Sequence, residues 1–248
     1  MSQEVSAPRT LRLPGPTLLR RLSGDRRGLA LLEFALAFPV LLAIGGWGIE
    51  VSYLAFMNLK VSQFSLNLAD AVSRVGADAG AGVSQLREAD INDVFAGTRL
   101  AGKAIGLGDN GRVTLSSLEL KKQSYDTTGN GKQRIHWQRC FGKKNGAGYD
   151  SSYGVTSTAA GSDDSQANAG LEVTDGMGDT NFKVKAPQDN AVMFVEINYL
   201  YKPIFGSLFV KPQIIHHTAS LIVRDNRDLR QVYATPGFTA STCNLYTA

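Results

Sequence analysis

The residues whose types could do chemistry are three histidines, two cysteines and two glutamates set in an apolar run. His136, His216 and His217 fall in segments with strand-like alternation, where neighbouring residues face opposite sides of a sheet. His216 and His217 therefore do not converge on one ion. No HExxH occurs, and no third ligand stands at metal spacing. GxSxG, the phosphate-binding loop and the dinucleotide-binding glycine pattern are absent too. A Ser-His-acid triad can still assemble from distant positions, which leaves an anchored hydrolase as a third-ranked reading. The polar stretches 126–131 and 175–179 have the composition of calcium turns but lack the six or more oxygens such a site needs. They read as solvated turns. Lys121, Lys122, Arg134, Arg139, Lys143 and Lys144 form a basic region near Trp137 and Phe141, of a kind common on half-exposed strands. No catalytic residue, metal or cofactor is expected.

The glutamates are more informative. Glu33 and Glu50 are separated by sixteen residues without a charge. A helix rises about 1.5 Å per residue, so about 20 apolar residues cross a bilayer core. The run from 29 reaches that length only with Glu33 inside it, near one face. A carboxylate in hydrocarbon is costly and usually has a partner. It either reaches back to the interface near Arg27 or pairs with a positive group inside the membrane. Glu50 reads as an interface residue on the far side. The cysteines, Cys140 and Cys243, form no CxxC. If the segment beyond the membrane is exported, one disulfide between them is expected. Closing a loop of about a hundred residues would contribute up to ~4 to 5 kcal/mol in the chain-entropy model. Two unrelated thiols are the alternative.

These residues need elements to hold them. Apolar positions Ile49, Tyr53, Phe56, Met57, Phe64, Leu68, Val72 and Val75 recur at three- and four-residue steps. Together with the apolar run they predict one helix over 29–75, apolar all round in its first half and amphipathic in its second. Pro39 lies inside it and predicts a kink. The glycine-rich stretch 76–82 ends it. A second helix is expected over 84–105, broken by the glycines at 106–111. Strand patterns follow at 113–125, 135–140, 191–201 and 214–223. Between the second and third lies a long polar connection, 142–189, which is either functional or poorly ordered. The fold class is α+β: a long N-terminal transmembrane helix with an amphipathic extension, a second helix, then an antiparallel sheet of about four strands.

Charge orients this plan. Of a net +4, the whole excess sits before the helix, where six arginines face only Glu4 and Asp25. Basic residues flanking a span stay in the cytoplasm. A nucleic-acid-binding arm is disfavoured because a span follows directly. The expected divisions are a cytoplasmic basic leader at 1–28, a transmembrane helix at 29–56, a helical stem at 57–110 and an extracytoplasmic β-rich domain at 111–248. A secretory signal peptide is disfavoured, since the apolar run is too long and no small-x-small site closes it.

Arg27-Gly28, the apolar residues 29–32, Glu33-Phe34 and the run 35–42 resemble the leader of type IV pilin-like proteins. More closely they resemble the TadE-like pseudopilins of the tight-adherence (Tad/Flp) pilus systems. The residues 137–140 (WQRC) and 195–203 (VEINYLYKP) are similar to stretches of larger members. The resemblance implies cleavage by a prepilin peptidase between Gly28 and Leu29. Glu33 then becomes the fifth residue of the mature chain and pairs with the N-terminal amine of a neighbouring subunit, fixing filament register beside Phe34. Pairing two charges that are each costly in hydrocarbon fits that role. Bulk Tad pilins are little more than the hydrophobic helix, so the large extra domain points to a minor, assembly-priming subunit.

The expected function is that of a non-catalytic TadE-like minor pilin in the bacterial inner membrane, single-pass, with its C-terminal domain in the periplasm or carried into a pilus. Its expected partners are a prepilin peptidase, other pilin-like subunits, the inner-membrane assembly platform and membrane lipid, with no nucleic acid. The alternative is an unprocessed membrane-anchored binding or adhesion domain.

Overall fold

The computed structural model describes residues 28–126, 129 and 131–248. The leader ahead of Gly28 lies outside the described residues, as does part of the 126–131 turn. The chain divides into two compact units, Met1–Ile49 and Glu50–Ala248.

One helix, α1 (Leu29–Arg74), runs through the division without interruption. In the first unit its apolar side chains are exposed, Leu31 at 78% and Leu36 at 69%. The most apolar window has a mean hydropathy of 2.1 and none of it is buried, which makes this helix long and apolar enough to cross a membrane. From Glu50 onward a stripe of Met57, Val61, Phe64, Leu68 and Val72 is buried, at the steps of four and three that place residues on one helical face. Ile49 and Phe56, assigned to that stripe from sequence, are exposed. The contacts of residues 53 and 54, expected to lie in the membrane segment, are with the core of the second unit.

The glycine-rich stretch does end the helix, but it also turns a short hairpin. β1 (Ala77–Asp78) pairs with β2 (Ser84–Gln85), and Gly80 and Gly82 take the positive φ that a turn this tight needs. The second helix is accordingly shorter than expected. Ser84 is drawn into the hairpin and bonds Asn226, so α2 (Glu88–Ala101) starts only at Glu88. Asp90 accepts from the backbone N–H and the guanidinium of Arg87, closing its first turn. A 3₁₀ turn (Lys103–Ile105) and the single-turn α3 (Leu107–Asn110) lead into the sheet.

Five strands form that sheet rather than four: β3 (Gly111–Lys121), β4 (Lys132–Phe141), β5 (Leu171–Glu172), β8 (Ala191–Tyr201) and β9 (Gln213–Ile222), in the order β5-β4-β3-β8-β9 and antiparallel throughout. β6 (Met177–Asp179) and β7 (Phe182–Val184) make a separate hairpin. One face of the sheet carries Leu115, Trp137, Phe141, Met193, Val195 and Ile197 against α1 and against Ile91 and Phe95 of α2. The other face carries Leu118, Ile135, Val192 and Phe194 against Met177, Val184 and Tyr153. The 142–189 connection is therefore a cover. It shields the back of the sheet, which is why β3, β4 and β8 are buried on both faces.

Candidate functional site

Helix α1 begins at Leu29, with the carbonyl of Gly28 accepting the N–H of Leu32 in its first turn. Glu33 is exposed among exposed apolar neighbours, and among the described residues it makes no hydrogen bond or ion pair. Phe34 stacks on Phe38 one turn on, with ring centroids 5.2 Å apart. Helical geometry continues through Pro39, whose missing N–H leaves the carbonyl of Ala35 without its usual helical donor. Of the five positions singled out at this end, Leu29, Glu33, Phe34 and Pro39 thus lie within three turns of one exposed apolar helix, and Gly28 immediately precedes it.

Glu50 behaves differently. It is fully buried, and its carboxylate accepts the Tyr201 hydroxyl and the backbone N–H groups of Ile204 (3.1 Å) and Phe205 (2.9 Å). Burial first, and then the neighbouring Glu50 carboxylate, push the Tyr201 hydroxyl well above its ordinary pKa. The sequence gives no local sign of this, because the partners lie about 150 positions away. Three donors from the end of β8 and the loop after it converge on one oxygen pair. That is a clamp holding α1 to the sheet.

Cys140 and Cys243 form a disulfide, with Cα atoms 4.8 Å apart. It ties a C-terminal strap along the part of β4 that β5 does not reach. The N–H of Cys140 donates to Ser241 and that of Gly142 to Thr247. Arg112, 1% exposed, donates to the carbonyls of Gly142, Leu245 and Cys243 and lies under the Tyr246 ring. The strap closes an edge that would otherwise present unpaired backbone groups. At the opposite end, Arg227 donates to the carbonyls of Val72 and Val75 and satisfies the last turn of α1.

The basic region is mostly neutralised internally. Arg139 of the WQRC stretch is bidentate to Glu88 of α2, Arg134 pairs with Asp126 at 2.7 Å, Lys121 with Asp164 at 2.8 Å and Lys143 with Asp109 at 2.6 Å. Asp126, read as a solvated turn residue, closes the 123–126 turn that precedes that stretch by accepting from the N–H of Gln123.

The histidines lie apart in the sheet. His136 sits opposite a register shift in β3, with Nδ1 3.1 Å from Glu119, which also accepts the Ser117 hydroxyl at 2.7 Å. All three are at most 1% exposed. The carboxylate is in the middle of this set, whereas acyl transfer needs the imidazole there, and the cavity beside it, about 10 Å³, has room for about one water. His216 lines an open pocket of about 610 Å³ on the back face with Asp150, Ser151, Ser152 and Asn198. There Ser151 and Ser152 both donate to the buried Glu196, and His216 meets Asn198. Among the described residues no serine hydroxyl bonds a histidine ring, and no three His, Cys, Asp or Glu side chains cluster as metal ligands. Glu196 fastens the cover to the sheet, a role visible only once β8 and residues 151–152 are brought together. Comparison with family models, with curated proteins and with solved structures finds no match.

Proposed function

We propose that the chain is a membrane-anchored, non-catalytic assembly subunit of the TadE-like minor pilin class, with residues 29–49 in the bilayer and the unit from Glu50 onward outside the cytoplasm. One observation carries the reading: a single helix supplies both an exposed apolar segment bearing Glu33, which has no partner among the described residues, and the central packing element of an α+β unit. At about 1.5 Å per residue, residues 29–49 span roughly 30 Å, the thickness of a bilayer core. Glu33 lies one turn inside the start of that segment. In hydrocarbon its charge is costly until it meets a positive group, and the amine of a neighbouring subunit processed after Gly28 is such a group.

The disulfide supports an oxidising compartment for the second unit, since such bonds persist there and are rare in the cytosol. The expected partners are a prepilin peptidase, other pilin-like subunits and the assembly platform of the inner membrane. Glu33→Ala tests the mechanism. Membrane insertion and the folded unit should survive while pilus assembly is lost. Normal piliation in that variant, at normal protein level, would remove Glu33 from any register role.

A further inference from the structure

The loop joining β8 to β9, residues 202–212, is apolar where loops are ordinarily polar. Its sequence is Lys-Pro-Ile-Phe-Gly-Ser-Leu-Phe-Val-Lys-Pro, with Ile204 53%, Phe205 43% and Leu208 76% exposed. Singly exposed apolar residues are ordinary on a protein surface. Three within five positions, on one turn and bracketed by the exposed Lys202 and Lys211, are not. The turn is also held in place: Phe205 packs edge-to-face on Phe209 at 5.8 Å, and the N–H groups of Ile204 and Phe205 are fixed on the Glu50 carboxylate.

That clamp locates the loop. Glu50 is the residue immediately after the apolar segment, so if that segment lies in a bilayer, Glu50 lies at its far surface and the loop lies with it. We propose that the 202–212 loop is a second membrane contact, with Ile204, Phe205 and Leu208 entering the outer leaflet at the headgroup boundary and Lys202 and Lys211 meeting anionic headgroups. Apolar and aromatic side chains flanked by lysines match the chemistry of that boundary. Glu50 thereby sets the depth of the folded unit as well as its attachment. This inference rests on the anchored reading above.

Phe182, 82% exposed, begins the second strand of the β6–β7 hairpin. That hairpin packs through Met177 and Val184 beside Val192 at the start of β8. The lipid-facing loop leaves the end of the same strand. Eleven residues of strand separate the two ends, roughly 35 Å at ~3.4 Å per residue, so Phe182 is an internal control.

The test uses the full chain in vesicles of phosphatidylethanolamine and phosphatidylglycerol. Both native cysteines are paired, so Leu36→Cys, Leu208→Cys and Phe182→Cys each add one free thiol for an environment-sensitive fluorophore. All three side chains are exposed, so the substitutions remove no packing. Probes at 36 and 208 should be blue-shifted and quenched by spin-labelled lipid, and the probe at 182 should be neither. Quenching at 208 should weaken when phosphatidylglycerol is omitted or when Lys202→Glu and Lys211→Glu are added. Quenching at 36 with a water-like probe at 208 would overturn the inference and leave the anchor standing. A blue shift at 208 without lipid quenching would mean a protein partner covers the loop, which also overturns it. No quenching at 36 would overturn the anchor and the inference together.

Discussion

Glu33 and Glu50 are the same residue type in the same helix, and the chain treats them in opposite ways. Glu50 is buried and satisfied, with a hydroxyl and two backbone N–H groups on its carboxylate. Glu33 is exposed on an apolar segment, with no partner among the described residues. A buried carboxylate whose acceptors are filled from its own fold is committed to that fold. One set in an apolar surface without donors is available to a group from outside. From sequence alone Glu33 drew attention because of the membrane, and Glu50 was read as its counterpart at the far interface. The structure separates them: Glu50 is tied into the second unit, whereas Glu33 has no partner there among the described residues.

The comparison can be broken from the Glu50 side first. Glu50→Ala should leave the Tyr201 hydroxyl and two N–H groups without an acceptor. The unfolding midpoint of the second unit, followed by circular dichroism in detergent, should fall by roughly 10 °C. An unchanged midpoint would mean the clamp contributes nothing. Tyr201→Phe removes one of the three donors and should cost about 2 kcal/mol, as for a hydrogen bond to a charged group.

A third carboxylate gives the scale between the extremes. Asp228 is held well below the ordinary carboxylate range, chiefly by the Arg230 guanidinium and also by the Tyr233 hydroxyl. Its folded pKa lies below its unfolded value, so the stabilisation is present above about pH 4 and disappears as pH falls through the depressed folded value. Arg230 is 70% exposed and solvent screens the pair, so Asp228→Asn should cost no more than about 1 kcal/mol at pH 7. Wild-type and variant curves should converge in strong acid. Glu33→Gln belongs at the bottom of the series. Its effect on the unfolding midpoint should be indistinguishable from zero, because no contact in the folded unit is lost. A clear drop would show that Glu33 serves the fold and would dissolve the contrast with Glu50.

What was legible in the sequence follows how locally each feature is encoded. The long helix was read to within a residue at its C-terminal end, because the stripe from Met57 to Val72 repeats over several turns. β8 was placed at its observed bounds and β9 within a residue, since branched and aromatic residues run without a break there. β5 was missed: two residues carry no periodicity, and their pairing with Arg134 and Ile135 is set from the other strand. The same holds for the cover over the back face. Its polar composition reads as a free loop, yet Tyr153, Met177 and Val184 close a second small core, and Glu196 and Gln138 hold its backbone and serines. The disulfide was inferred from compartment and count, and the structure forms it. The clamp on Glu50 and the pairing of Arg139 with Glu88 had no local signature. Both join segments far apart in the chain, and a charged residue in an amphipathic helix is ordinary until its partner is known.

The central claim, that Glu33 becomes a subunit-joining residue after processing, is tested most directly by the mature N-terminus. Intact-mass and N-terminal peptide mass spectrometry of the protein isolated from membranes of its own host should find a chain beginning at Leu29, with Glu33 fifth. A membrane-bound chain still beginning at Met1, in cells that assemble pili, would contradict the account.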